Sequence, residues 1–290
     1  MEKIRAVYRI TKSRPTVEGA GVRLKRAFGF SEAPRMDPFL LLDHFGSKNP
    51  EDYLAGFPWH PHRGIETVTY LIGGVVEHGD SLGNQGAIGR GDVQWMTAGS
   101  GIIHQEMPRL ADEPLLGFQL WVNLPAARKM MVPRYRDVHR QQIPEITPQD
   151  GVVVKLVSGA IDGVRGPVQD LVTDTEYLDV RLAPGTTWRH PLRPGYRALA
   201  YVFAGGGAFD PAGPPSVSKD QLVDFGDGDA VAIASGDSGV RFLLFSGKPL
   251  REPVAWNGPI VMNTEAELEQ AFREYREGTF IKAQQARRGL

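Results

Sequence analysis

Two short strings constrain this chain more than anything else in it. Gly56-Phe57-Pro58-Trp59-His60-Pro61-His62-Arg63-Gly64-Ile65-Glu66 carries His60 and His62. Met96-Thr97-Ala98-Gly99-Ser100-Gly101-Ile102-Ile103-His104-Gln105-Glu106 carries His104 and Glu106. Each pair is spaced i, i+2, and in an extended strand such positions point to one face. Each string therefore aims two metal-binding groups at one point. Two such strands side by side build a site of three histidines and one carboxylate, a donor set suited to Fe, Mn, Co, Ni or Zn. Four protein ligands on an ion that prefers six leave two positions for water, dioxygen or substrate. With seven histidines in 290 residues, a His-x-His arises by chance about 0.17 times, so the first pair alone is modest evidence. A second ligand-x-ligand pair in a Gly-punctuated strand makes coincidence much rarer. The competing explanation is a set of surface strand histidines. Unpaired polar groups inside an apolar barrel are costly, which favours convergence on an ion.

The rest of the chain reads as the strands such a site needs. Val7–Ile10 and Val22–Phe28 alternate with period two, and Phe39–Gly46 is a nearly continuous apolar run. Glu66–Ile72, Val75–His78, Val93–Met96 and Leu116–Leu124 follow, separated by turn signals such as Gly89-Arg90-Gly91-Asp92. Between about 125 and 150 the pattern gives way to Pro125, Pro133, Pro144 and Pro148 among charged residues. Strand rhythm then resumes at Val152–Val157, Tyr177–Leu182, Arg197–Phe203, Ala230–Ala234 and Val240–Phe245, with 204–218 as a long hairpin tip. Thirty-four Gly and 22 Pro fit many short strands joined by tight turns. The reading is all-β: two tandem barrels or jelly rolls with a C-terminal helix. The expected domains are a metal-bearing barrel over 1–130, a linker over 131–150, and a metal-free barrel plus helix over 151–290. The helix begins at a capping box, Thr264 with Glu267, continues through Leu268, Ala271, Phe272 and Tyr275, and stops at Gly278. The last ten residues are polar and basic.

Composition excludes several function classes. A net charge of −1 with both signs interspersed provides no broad basic face, so direct nucleic-acid binding is not expected. The absence of cysteine removes disulfides, thiolate metal sites and a Cys nucleophile, and suits a cytoplasmic address. The N-terminal MEKIRAVYRITKSRP lacks the apolar core of a signal peptide. No apolar run approaches the ~18–20 residues of a membrane helix, so no membrane partner is expected.

The two strings also carry a family resemblance. Gly56-x3-His60-x-His62-x3-Glu66-x6-Gly73 resembles the first cupin motif, shortened at its start, and Gly91-x7-Gly99-x4-His104 resembles a degenerate second motif. Gly56-Phe57-Pro58-x-His60-Pro61-His62-Arg63-Gly64-x-Glu66-Thr67-Val68 is similar to the pirin family. So is Gln94-Trp95-Met96-Thr97-Ala98-Gly99-x-Gly101-Ile102-x-His104-x-Glu106-Met107-Pro108. Further matches are Asp37–Leu40, Leu120–Leu124 and Gly258–Thr264, so the resemblance spans almost the whole chain. It implies two cupin barrels with an iron-type metal in the first only. It also implies quercetin 2,3-dioxygenase activity: oxidation of a flavonol, a small aromatic chelator, by dioxygen at one divalent ion. Fe(II) is the expected metal, with Mn, Co, Ni, Cu or Zn as alternatives.

The strand parity leaves the carboxylate open. Glu66 shares the parity of His60 and His62, and Glu106 that of His104. The resemblance favours Glu106 as the ligand, with Glu66 as a supporting partner or proton acceptor. His60, His62, His104 and Glu106 are thus the expected metal ligands, and Glu106 and Glu66 the candidate catalytic carboxylates. His44 and His78 read as turn or core histidines, and His190 is alone in the second half. Phe57, Trp59, Trp95 and Met96 are divided between a flat-ligand pocket and barrel core. Gly64, Gly73, Gly99 and Gly101 read as turn residues, as does Asp92. The resemblance also implies a second class of function, a metal-dependent transcriptional cofactor acting through a protein partner, although Arg287-Arg288 is too short for a nuclear localisation run. Zinc hydrolysis is a weaker third reading, because four protein ligands leave tetrahedral Zn no place for a catalytic water.

Overall fold

The computed structural model describes residues 2–210, 212–213 and 216–282. The basic C-terminal tail from 283 on, including Arg287-Arg288, and part of the 204–218 hairpin tip lie outside the described residues. Alternation of apolar and polar side chains produces strands throughout, and they close into two cupin barrels with one long helix at the end. No helix among the described residues is long and apolar enough to cross a membrane.

One unit comprises residues 15–140 and 250–290. Its larger sheet has seven strands in the order Arg134–Val138, Val93–Thr97, Ile65–Gly73, Leu115–Asn123, Phe39–Ser47, Val22–Phe28 and Arg14–Glu18. Its smaller sheet has four: Phe57–His62, Ile102–Arg109, Val75–Asp80 and Gln85–Ile88. The other unit comprises residues 1–14 and 141–249. Its path of strands is Val7–Lys12, Gln221–Phe225, Arg197–Ala208, Ala230–Gly247, Glu176–Leu182, Val152–Ser158 and Glu145–Ile146. Val152, Val154 and Leu156 pack there with Leu178, Val180, Phe242 and Leu244 in one buried cluster.

These boundaries differ from the expected 1–130 and 151–290 at both ends. Val7–Lys12 pairs antiparallel with Gln221–Phe225, because Val7 and Ile10 need an apolar surface and find it on the second barrel's core. Conversely, the hairpin Ala255–Asn257/Ile260–Met262 and the helix Glu265–Arg276 belong to the barrel that carries His60, His62 and His104. Ala255, Ile260 and Met262 pack there with Leu268, Ala271 and Phe280. The segment 131–150 is no bare linker. Arg134–Val138 is an edge strand on Val93–Thr97, and its preceding Pro133 stands where an edge strand tolerates proline. Ala230–Gly247 runs as one bulged strand instead of the two separate strands expected. The Thr264–Glu267 capping box is present in both of its hydrogen bonds.

Candidate metal centre

The Phe57–His62 strand pairs antiparallel with Ile102–Arg109, placing His62 across from Ile102 and His60 across from His104. A slip in register then sets Glu106 opposite Phe57. The pairing brings one ring nitrogen from each of His60, His62 and His104 within 4.8 Å of the other two. Backbone carbonyls fix the rings: Nδ1 of His60 donates to the Pro58 oxygen at 2.8 Å, and Nδ1 of His62 to the Pro259 oxygen at 3.1 Å. With the protons held there, both Nε2 lone pairs point into the centre, 3.1 Å apart. Two facing lone pairs repel unless a cation stands between them. Both ring nitrogens of His104, a fully buried residue, have no hydrogen-bond partner. Burial, reinforced by the neighbouring histidines, holds His62 and His104 well below the usual imidazole range. Three imidazoles converging on one point, two of them kept from protonation by burial, fit a divalent transition metal.

Glu106 shares the face of His104 and is buried, but stands outside the trio of nitrogens. Its Oε1 accepts from the Thr69 hydroxyl at 2.9 Å and its Oε2 from the Gln119 amide at 3.2 Å, which fixes the carboxylate. Glu66 lies elsewhere, and the expected shared parity with the histidines does not survive. The chain turns at Gly64, between one strand and the next, so the two-residue count restarts. Thr69 reaches Glu106, so Glu66, three residues earlier in the same strand, projects from the opposite face. There its Oε1 accepts from Thr97 at 2.6 Å, and burial raises its carboxyl above the usual range.

Gly64 makes that turn with φ +77°, and its N–H donates to the Gly99 carbonyl at 2.9 Å, joining the two strings. A Cβ at Gly64 would overlap the Val261 carbonyl oxygen. Next to it, buried Arg63 donates to the Ser100 carbonyl at 2.8 Å and the Phe280 carbonyl at 2.9 Å, and pairs with Glu274 at 2.8 Å. Lys129 Nζ donates to the carbonyls of Gly64 and Val261 and to Asn123 Oδ1. These two buried side chains tie the C-terminal segment to the histidine strand.

A cavity of about 740 Å³ opens onto His60 and His62. Phe57, Trp121 and Trp256 supply its flat walls, with Gln119 beside them. Trp121 meets His62 edge-on at 5.0 Å and Trp256 at 6.0 Å. Of the candidate pocket residues, only Phe57 lines this space. Trp59 is about half exposed, while Trp95 and Met96 are core. Trp121 was open to detection in the sequence, since Gln119 and Trp121 share a strand face by their i, i+2 spacing. Trp256 carries no such signal. His44 stacks on Phe118 in the sheet, and His78 is held between the Tyr135 hydroxyl at 2.7 Å and Asp137 at 3.0 Å. Asp92 accepts from the Gly89 and Arg140 backbone N–H groups, closing its turn.

Comparison with known proteins identifies the family of this chain. The family model for pirin matches residues 21–122, and that for the pirin C-terminal cupin domain matches 177–281. A pirin-like protein of Caulobacter vibrioides is 44% identical over 283 residues, covering 96% of this chain and 99% of the relative. Pirin of Homo sapiens is 41% identical over 267 residues, covering 91% and 90%. The solved quercetin 2,3-dioxygenase of Acinetobacter baumannii superposes with a TM-score of 0.88 at 29% identity, covering 96% of this chain and 99% of that one. The chain belongs to the pirin family.

Proposed function

We propose that this protein is a mononuclear metal dioxygenase that oxidises a flavonol such as quercetin. The observation that carries the reading is the open aromatic cavity reaching His60 and His62 of the histidine trio, since a regulatory metal needs no such access. The name of the Acinetobacter baumannii neighbour supports the same reaction class. His60, His62, His104 and Glu106 would hold one Fe(II) ion. When bound, the ion supplies a Lewis-acidic point that chelates adjacent hydroxyl and carbonyl oxygens.

The chain's own residues do the rest. Phe57, Trp121 and Trp256 hold a planar ring system and exclude water from it. Glu106, kept in orientation by Thr69 and Gln119, takes the ligand's hydroxyl proton on a carboxylate oxygen. The resulting anion is electron-rich at the ring carbons that dioxygen attacks. Glu66, on the far face of its strand, has no part in this assignment. The cytoplasmic address belongs to the same proposal, supported by the cysteine-free composition.

The test is anaerobic reconstitution with Fe(II), addition of quercetin, and measurement of dioxygen uptake, with His62→Ala as control. Metal-dependent uptake lost in the variant is the expected result. Tight iron binding without uptake would overturn the enzyme reading in favour of a metal-dependent regulator, and absence of bound metal would overturn both.

A further inference from the structure

The inner face of the seven-stranded sheet carries a polar row that metal chelation leaves unused. Gln94, Thr69, Gln119, Asp43 and Arg26 are successive cross-strand partners on five adjacent strands. Glu106 sits over the middle of this row, on Thr69 and Gln119. The far end is an ion pair: Arg26 Nε donates to Asp43 Oδ1 at 2.9 Å and its Nη2 to Oδ2 at 2.7 Å. Glu18 holds Arg26 from the other side at 2.9 Å. Arg26 and Asp43 line the same cavity as His60, His62 and the tryptophans. Asp43 is nonetheless only 4% exposed, and burial lifts its carboxyl to about 6 despite the guanidinium.

A largely desolvated ion pair in a cavity wall is weak for stability, because apolar residues of similar volume serve as well or better. It is well suited to recognition. Each Asp43 oxygen spends one acceptor position on Arg26 and keeps another for a donor in the cavity. Strands lie about 4.8 Å apart, so Asp43 stands two spacings, roughly 10 Å, from Thr69. A planar chelator anchored at the histidines and lying along the row would bring its remote hydroxyls to this pair.

Resting on the flavonol reading above, we propose that the Arg26–Asp43 pair is a second anchor. It accepts a hydroxyl remote from the chelating oxygens, and so selects aromatic chelators that carry donors at both ends. Arg26 orients the carboxylate, and Asp43 is the specificity-determining residue.

The test compares quercetin with 3-hydroxyflavone, which retains the chelating oxygens and lacks every remote hydroxyl. Binding to the metal-loaded protein is measured by calorimetry, so turnover is not required. The wild-type protein is expected to bind quercetin roughly tenfold more tightly, the worth of one hydrogen bond to a charged group. Asp43→Asn and the apolar double variant Arg26→Met/Asp43→Leu should bring that ratio close to one while leaving 3-hydroxyflavone affinity within about twofold. The double variant keeps the test open should the single one leave Arg26 with Glu18 alone as counter-charge and unfold. Asp179→Asn breaks a similar bidentate pair with Arg241 in the other barrel and should leave the ratio unchanged. Equal losses for both ligands, or an unaltered ratio in the double variant, would assign the pair a purely structural role and overturn the inference. If the wild-type protein binds neither ligand, the flavonol reading fails with it. Binding without dioxygen uptake overturns the dioxygenase alone, and the ratio still decides this inference.

Discussion

In the barrel of residues 15–140 and 250–282, three histidines on two paired strands turn their rings to one point, and His104 has no hydrogen-bond partner at either nitrogen. In the barrel of residues 1–14 and 141–249, the one histidine, His190, is equally buried but spends its Nε2 on both oxygens of Glu176, at 3.1 Å each. Both barrels have an antiparallel framework and a buried imidazole. What separates them is satisfaction. A buried polar group with a partner is a piece of structure, whereas converging groups without one define a place for a ligand. The same fold can therefore carry chemistry in one copy and not mark it in the other.

The comparison breaks most easily at the metal. His104→Ala should abolish bound metal in an elemental assay of the reconstituted protein, while His190→Ala should leave metal content unchanged. A loss of metal in His190→Ala would place a donor in the second barrel and dissolve the distinction. Next in size is the contrast of carboxylates. Glu106→Gln should weaken metal affinity by about a hundredfold, and Glu66→Gln by less than about tenfold, measured by competition with a chelator. The reverse ranking would restore Glu66 to the site and overturn its placement on the opposite strand face.

That second contrast also marks where the sequence stops being legible. Period-two alternation located most strands, and the i, i+2 histidines located the centre, because both signals are local. Glu66 misled because its parity with His60 and His62 holds only if the strand is unbroken, and the turn at Gly64 breaks it. The exchange of ends was invisible for a different reason. Val7–Lys12 alternates like any half-buried strand, and nothing local says that its partner is Gln221–Phe225, over two hundred residues away. Asp43 did leave a trace. A charged residue inside the apolar run Phe39–Phe45 needs a partner when buried, and Arg26 across the sheet provides it. Trp256 and Pro259 gave none, since their place beside His62 depends on how the C-terminal hairpin docks.

Docking of that hairpin supplies a smaller contrast between the barrels. Arg63 is fully buried and paired with Glu274, whereas Arg193 in the other barrel pairs with Asp174 at an exposed surface. Glu274→Gln should cost roughly 2 kcal/mol in urea unfolding, because a buried guanidinium loses its counter-charge. Arg193→Ala should cost less than about 1 kcal/mol, as exposed ion pairs do. Similar losses in the two variants would mean that burial does not govern the strength of these pairs here.

The smallest effect is a pH dependence at two carboxylates of the barrel that carries the three histidines, and it has two opposite signs. Burial raises Asp43 from the ordinary 3.8 to about 6, against the pull of Arg26. Its folded form therefore binds a proton that the unfolded chain releases between those values, and the cost of holding it charged is relieved as pH falls from 6 towards 3.8. Glu274 runs the other way. Burial would raise it, but hydrogen bonds from Gln270, Lys282 and Arg63 outweigh that and lower it from 4.5 to about 2. Its contribution is complete above 4.5 and is lost as pH falls through 2. Between pH 6 and 4.5 the Asp43 effect stands alone of these two. There the wild-type protein should gain on the order of 1 kcal/mol relative to Asp43→Asn in urea titrations. Parallel curves across that window would mean that Arg26 holds Asp43 ionised throughout, making the cavity-wall anchor a permanent charge.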